Sequence, residues 1–184
     1  MRWDQKRGSV TRAVFALAAI AVLTCYAQAA DTRLTVGSKT FAAGATLPDR
    51  VVYNAMSCNG QNLSPELHWS QAPKGTKSFA ITAWDPDAPA PGGWWHWVLY
   101  DIPAGVHAIA EGRTAGASGT TSFRATGYDG PCPPPGMAHH YRFTVYALNV
   151  VHVGAGEATT GPELLTKMHG HVLAQGLIVG LYKR

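Results

Sequence analysis

The chain lacks the marks of several common catalytic machines. Gly116-Ala117-Ser118-Gly119 falls short of the glycine-x-serine-x-glycine elbow that exposes a nucleophile, and no glycine-rich phosphate loop ends in Gly-Lys-Ser/Thr. There is no His-Glu-x-x-His helix, and the cysteines are not paired at zinc-finger spacing. His169-x-His171 straddles a glycine, so its two rings need not converge. Charge is scarce at 14% of residues, and neither an internal repeat nor a low-complexity tail is present. These absences count against serine hydrolases, nucleotide-driven enzymes and zinc proteases, and no cofactor is expected.

What charge there is lies unevenly. Lys6, Arg7 and Arg12 precede an apolar run from Ala13 to Leu23, and Ala27-Gln28-Ala29 offers the small-x-small pattern of a cleavage site. Residues 1–29 therefore read as a secretory signal peptide, and residues 30–184 as a single domain. The apolar run is short of the ~20 residues that span hydrocarbon, so no stable transmembrane segment is expected after cleavage. Val22-Leu23-Thr24-Cys25 loosely resembles a lipoprotein box, with an unfavourable Thr before the Cys. Removing the leader takes away four Lys/Arg and one Asp, so a formal charge of +4 falls to about +1 and the argument for nucleic-acid affinity goes with it. A periplasmic or secreted location follows, and the two remaining cysteines, Cys58 and Cys132, form either a disulfide or a pair of buried thiols.

The pattern along the domain is mostly that of strands. Leu34, Val36 and Phe41 suit sheet-facing positions, and Leu63 to Trp69 reads as a short extended segment. In Ser78–Asp85, period-two geometry puts Phe79, Ile81, Ala83 and Asp85 on one face. Trp94–Tyr100 is bulky throughout and suits a central strand covered on both faces, with His96 alternating away from Trp95 and Trp97. Tyr141–Leu148 alternates again, and 109–130 reads as a long surface connection with a short strand near Phe123. Thr160-Gly161-Pro162-Glu163 is a capping box that opens a helix. From His171 to Leu181 the fourfold spacing of Leu173, Leu177 and Leu181 favours a second helix over an extended segment, against the cost of Gly176 and Gly180.

One group of residues points to a ligand. Asp85 ends an apolar strand face, before Pro86, and such a carboxylate must be solvated or paired. An Asx turn stabilising Pro86–Pro89 is the plainer role open to both carboxylates, and it suits Asp87 better than Asp85. His139 and Tyr141 share one strand face and could present an imidazole and a phenol to one guest, while His140 points elsewhere. An imidazole beside a carboxylate favours its protonated form and can donate to phosphate. Gly127 to Gly136 is too proline-rich for a regular element and reads as a stiff rim, with Gly130, Cys132 and Gly136 the sources of backbone donors. Asp85 with His96 and His139 could also make a small metal triad, although no metal is expected.

Asp85-Pro86-Asp87-Ala88-Pro89, Trp95-His96-Trp97, Gly130-Pro131-Cys132-Pro133-Pro134-Pro135-Gly136 and His139-His140-Tyr141 together resemble successive signatures of the phosphatidylethanolamine-binding protein family, in its bacterial Raf-kinase-inhibitor-like branch. The likeness extends from about Leu34 to Tyr182 and takes in Asn62-Leu63-Ser64-Pro65 and Gly170-His171-Val172-Leu173-Ala174. It implies an all-β antiparallel sandwich with short C-terminal helices, and a shallow cavity for phosphate, phosphoethanolamine-like groups or other small anions. The ligand-binding residues so implied are Asp85, Pro89, His96, Gly130, Cys132, His139 and Tyr141. His140 stands where relatives commonly have arginine.

The function expected is therefore non-catalytic binding of small anions or phosphoryl headgroups. A protein partner is the alternative, a protease or other enzyme inhibited through the rim loops, and a phosphoester hydrolase is third. A homodimer stays open.

Overall fold

The computed structural model describes residue 1 and residues 33–184. The expected signal peptide and its cleavage site lie outside the described residues. Among the described residues, all the strands belong to one unit, Asp31–Arg184. They are β1 (Thr35–Gly37), β2 (Leu67–Ser70), β3 (Ser78–Asp85), β4 (Trp94–Pro103), β5 (Ala108–Ile109), β6 (Ala117–Ser118), β7 (His139–Leu148) and β8 (Val172–Tyr182), with one helix, α1 (Gly161–Met168), between β7 and β8. Two antiparallel sheets result, a small one in the order β1-β2-β5 and a large one in the order β6-β4-β3-β7-β8. This is an all-β antiparallel sandwich. Among the described residues no helix is long and apolar enough to cross a membrane.

The alternation read from the sequence builds the core. Phe79, Ile81 and Ala83 of β3 and Tyr141, Phe143, Val145 and Ala147 of β7 are buried together with Leu67 and Trp69 of β2. Each such large apolar side chain contributes about 1.5–3 kcal/mol by leaving water. The opposite face of the large sheet buries Ala80, Val98, Tyr100 and Leu148 against Leu164 and Met168 of α1. That helix begins where the capping box places it, with the Thr160 N–H donating to Glu163 Oε2 at 2.8 Å.

Three expectations need correction. The stretch expected to form a second helix is β8, which pairs with β7 from Leu148↔Val172 to His139↔Tyr182. A spacing of four is a multiple of two as well as near a helical turn, so Leu177 and Leu181 share one strand face, while Leu173 is the extra residue at a bulge opposite Ala147 and Leu148. The other face carries Ala174, Gly176, Ile178 and Gly180, all buried. A Cβ on Gly176 would run into the Leu34 carbonyl, and one on Gly180 into the Leu47 side chain. The two glycines let the strand lie close to the layer beneath it.

The second correction concerns the sheet's middle. β4 is an interior strand buried on both faces, as expected, with Trp97 and Leu99 in one core and Val98 and Tyr100 in the other. The middle position, however, belongs to β3, and β4 is bordered on its far side by the two-residue β6. The third is that Phe123 sits in a turn closed by Arg124 N–H to the Thr121 carbonyl at 3.0 Å, and the extra strand lies earlier, at Ala117–Ser118.

Candidate functional site

The end of β3 and the starts of β4 and β7 meet at one end of the large sheet, because β3 runs antiparallel to both neighbours. That junction brings Asp85, His96, His139 and Tyr141 around one cavity of about 270 Å³. Pro89 and Cys132 also line it, as do Met56, Trp94, Phe123, Pro133 and Pro134. Six of the seven residues expected to contact a ligand are thus gathered. Gly130 is the exception: it lies outside the lining, and its N–H donates to Asn62 Oδ1 at 2.7 Å, so it is not free for an anion.

A β-bulge brings His96 to the cavity. Ala83 pairs with Trp97 and Trp84 with Trp95, which leaves His96 as the extra residue of β4. The simple alternation expected of Trp95, His96 and Trp97 therefore fails: Trp97 is buried in the inter-sheet core, His96 lines the cavity, and Trp95 stacks on Trp84 with ring centroids 5.9 Å apart. His96 is held from outside the cavity by Asp129, whose carbonyl oxygen lies 2.7 Å from Nδ1 and whose N–H donates to the His96 carbonyl at 2.9 Å. A carbonyl can only accept, so Nδ1 carries the ring proton. Burial pushes the His96 pKa down to about 4, with the Asp129 carbonyl and the Asp85 charge only partly opposing it. The ring is neutral at neutral pH, and its Nε2 is a buried lone pair with no protein partner. This corrects, for His96, the expectation of a protonated imidazole donating to phosphate.

Tyr141 supplies the complement. Its hydroxyl is likewise buried and makes no hydrogen bond within 3.5 Å, 5.1 Å separates its ring centroid from that of His96, and burial, followed by the Asp85 charge and the approach of the phenol to that carboxylate, raises its pKa. The phenol therefore stays protonated and can donate. His139 Nδ1 lies 2.8 Å from Asp85 Oδ2, and both side chains are almost fully buried. The other Asp85 oxygen accepts from the N–H groups of Asp87 at 2.9 Å and Ala88 at 3.2 Å. Asp85, rather than Asp87, thus closes the Asx turn and at the same time braces the imidazole. Asp87 instead accepts from the backbone N–H of the exposed His140 at 2.8 Å and pairs with its Nδ1 at 2.7 Å. His140 faces away from the cavity, as expected.

The rim is tied down on two sides. Cys58 and Cys132 form a disulfide, with Cα atoms 5.9 Å apart, which settles the alternative that the sequence leaves open. Asn62 bridges to the same segment through the Tyr128 carbonyl at 3.1 Å, and the Pro131 carbonyl accepts from Tyr53 N–H at 3.1 Å. Among the described residues, no group of three His, Cys, Asp or Glu side chains is arranged to hold a metal ion. Sequence reasoning missed Trp94, Phe123 and Met56 as cavity walls and Asp129 as the support of His96. Nothing in their spacing marks them, since Phe123 and Asp129 reach the site through turns.

A larger hollow of about 450 Å³ opens on the other face of the large sheet, between Arg33, Trp84, Arg142 and Leu177. It contains none of the expected ligand-binding residues. Among the described residues, the buried side-chain polar atoms with no hydrogen bond are Trp69 Nε1, His96 Nε2 and Tyr141 OH, and the last two belong to residues of the smaller cavity. Unpaired buried polar atoms are costly, so the smaller cavity is where a guest has most to offer.

A sandwich that keeps a polar-centred, otherwise apolar cavity where three strand ends meet is a frame for holding a small ligand. Residues 37–183 match the family described as phosphatidylethanolamine-binding protein, and the chain belongs to that family. It is 40% identical over 147 residues to the UPF0098 protein YbhB of Escherichia coli K12, covering 76% of this chain and 93% of that one. To YbcL of the same organism it is 35% identical over 174 residues, covering 89% and 94% of the two chains. The crystal structure of YbcL superposes with a TM-score of 0.79 at 34% identity, over 83% of this chain and 99% of that chain. A homologue from Chlamydia trachomatis gives 0.74 at 32% identity, over 84% and 99%.

Proposed function

We propose that the protein is a non-catalytic binder of small phosphoryl anions, such as phosphate or phosphoethanolamine. The observation that carries this reading is the pair of buried, unpartnered polar atoms, His96 Nε2 and Tyr141 OH, on the cavity that His139 and Asp85 share. Tyr141 donates to an anionic oxygen, the Asp85-braced His139 faces the charge, and the apolar walls strengthen both interactions by keeping water out. No cavity residue is a serine or threonine, and Cys132 is bonded to Cys58, so the Tyr141 phenol, kept protonated by burial, is the side-chain hydroxyl that faces the guest.

The N-terminal leader and the disulfide favour an oxidising compartment, and we place the mature protein in the periplasm or outside the cell. The test is calorimetric titration of phosphate and phosphoethanolamine into the native chain, His139→Ala and Tyr141→Phe. Each variant is expected to lose about 1.5–3 kcal/mol of binding free energy, the worth of one hydrogen bond to a charged group. Unchanged affinity in both variants contradicts the assignment.

A further inference from the structure

The hydrogen-bonding pattern of the cavity asks for more than negative charge. His96 Nδ1 is committed to the Asp129 carbonyl at 2.7 Å, so the proton of the neutral ring sits on the side away from the ligand. What the ring turns to the ligand is the Nε2 lone pair, buried and unpartnered. An anionic oxygen placed against it would meet lone pair with lone pair. A ligand that carries its own proton would instead donate to His96 and accept from the Tyr141 hydroxyl. A P–OH group beside a P–O⁻ on one phosphorus supplies both.

Resting on the phosphoryl-binding reading above, we infer that the cavity selects monoprotonated phosphoryl groups, as in a phosphomonoester or free phosphate, over sulfate and phosphodiesters, because His96 offers the ligand an acceptor and not a donor. Sulfate at neutral pH and a phosphodiester anion have the charge but no proton to give. A site built to pair with a hydroxyl rejects the analogue that lacks it, since the buried acceptor is then left unmet. The groups that face the bound anion are Asp85 at the end of β3, His96 from β4, and His139 and Tyr141 from β7. The Asp129 carboxylate takes the Thr121 hydroxyl at 2.6 Å and is not part of the lining.

The test compares methyl phosphate, inorganic phosphate, dimethyl phosphate and sulfate by calorimetry between pH 5.5 and 8. Sulfate does not titrate in this range, so any pH dependence of its binding reports the protein and not the ligand. The ratio of methyl phosphate to sulfate affinity isolates the ligand's proton. That ratio is expected to be about 10- to 100-fold at pH 5.5. It should fall by about tenfold per unit once pH passes the ligand's own second pKa of about 6. Inorganic phosphate, which keeps a proton throughout, should hold its preference, and dimethyl phosphate should behave as sulfate does.

His96→Gln places an amide there that can turn its N–H to the ligand, and should bring methyl phosphate and sulfate within about threefold of each other. Sulfate binding to the native chain within about threefold of methyl phosphate at pH 5.5, or a ratio that stays flat to pH 8, overturns the inference and leaves anion capture standing. Failure of all four probes to bind overturns the parent reading as well. Retention of the protein on vesicles containing phosphatidic acid, but not on matched phosphatidylglycerol vesicles, would place the monoester in a membrane. Binding of free methyl phosphate without retention on either would place it in solution.

Discussion

Acidification should destabilise this protein through one buried ring. His96 has an ordinary pKa of 6.5 in the unfolded chain, and burial in the folded protein pushes it down to about 4. Between those values the unfolded chain binds a proton that the folded one refuses, so stability falls as pH drops. Above about pH 6.5 the effect vanishes, and below it the loss grows at about 1.4 kcal/mol per unit, reaching about 3 kcal/mol near pH 4. Between pH 7 and pH 5 this single group accounts for about 2 kcal/mol.

Other groups titrate nearby. Asp87 is held low by the side-chain hydrogen bond from His140, and Glu111, though burial acts against it, is held low by Thr40 and Arg50. Both add stability that is lost at more acidic pH. Burial raises Asp129, which has the opposite sign. The perturbation that isolates His96 is therefore a pair of urea unfolding series, native and His96→Gln, from pH 7.5 to 4.5. The native chain should lose about 2 kcal/mol more than the variant between pH 7 and pH 5. Parallel curves would refute the claim that the ring is held neutral by burial.

Two further perturbations probe the frame. Replacing both Cys58 and Cys132 by serine removes the crosslink between residues 74 apart and should cost about 4 kcal/mol by the chain-entropy relation, read as a lower urea midpoint; an unchanged midpoint counts against the bond. Gly180→Ala should destabilise by about 1–3 kcal/mol because its Cβ has no room against Leu47 and Phe41, and a thermal midpoint equal to the native one would contradict that packing.

Strand faces were legible wherever apolar residues alternate without interruption. Phe79, Ile81, Ala83 and Asp85 share a face as their spacing requires, and so do Tyr141, Phe143, Val145 and Ala147. Legibility failed where two periods coincide. Leucines four apart in 173–181 satisfy a helix and a strand alike, and the deciding fact, that Gly176 and Gly180 lie against another layer, is a tertiary one. It failed again at His96, since a bulge depends on the register of two strands and not on either sequence alone. The residue types of the site were readable, but their protonation was not. A carboxylate near an imidazole in the sequence suggested a cation, whereas burial and the Asp129 carbonyl make His96 an acceptor. Gly130 was readable as rim, but Asn62 takes the N–H it was expected to offer.

The account depends on the four polar side chains acting as one receptor. Phosphate-free protein labelled with ¹⁵N-histidine, titrated with inorganic phosphate and followed at the ring nitrogens, tests this most directly. His96 and His139 should shift together along one saturation curve, His96 with its proton on Nδ1 throughout, while the exposed His68 and His152 stay still. Phosphate that saturates the protein without moving either cavity ring, or that fails to bind at all, contradicts the account.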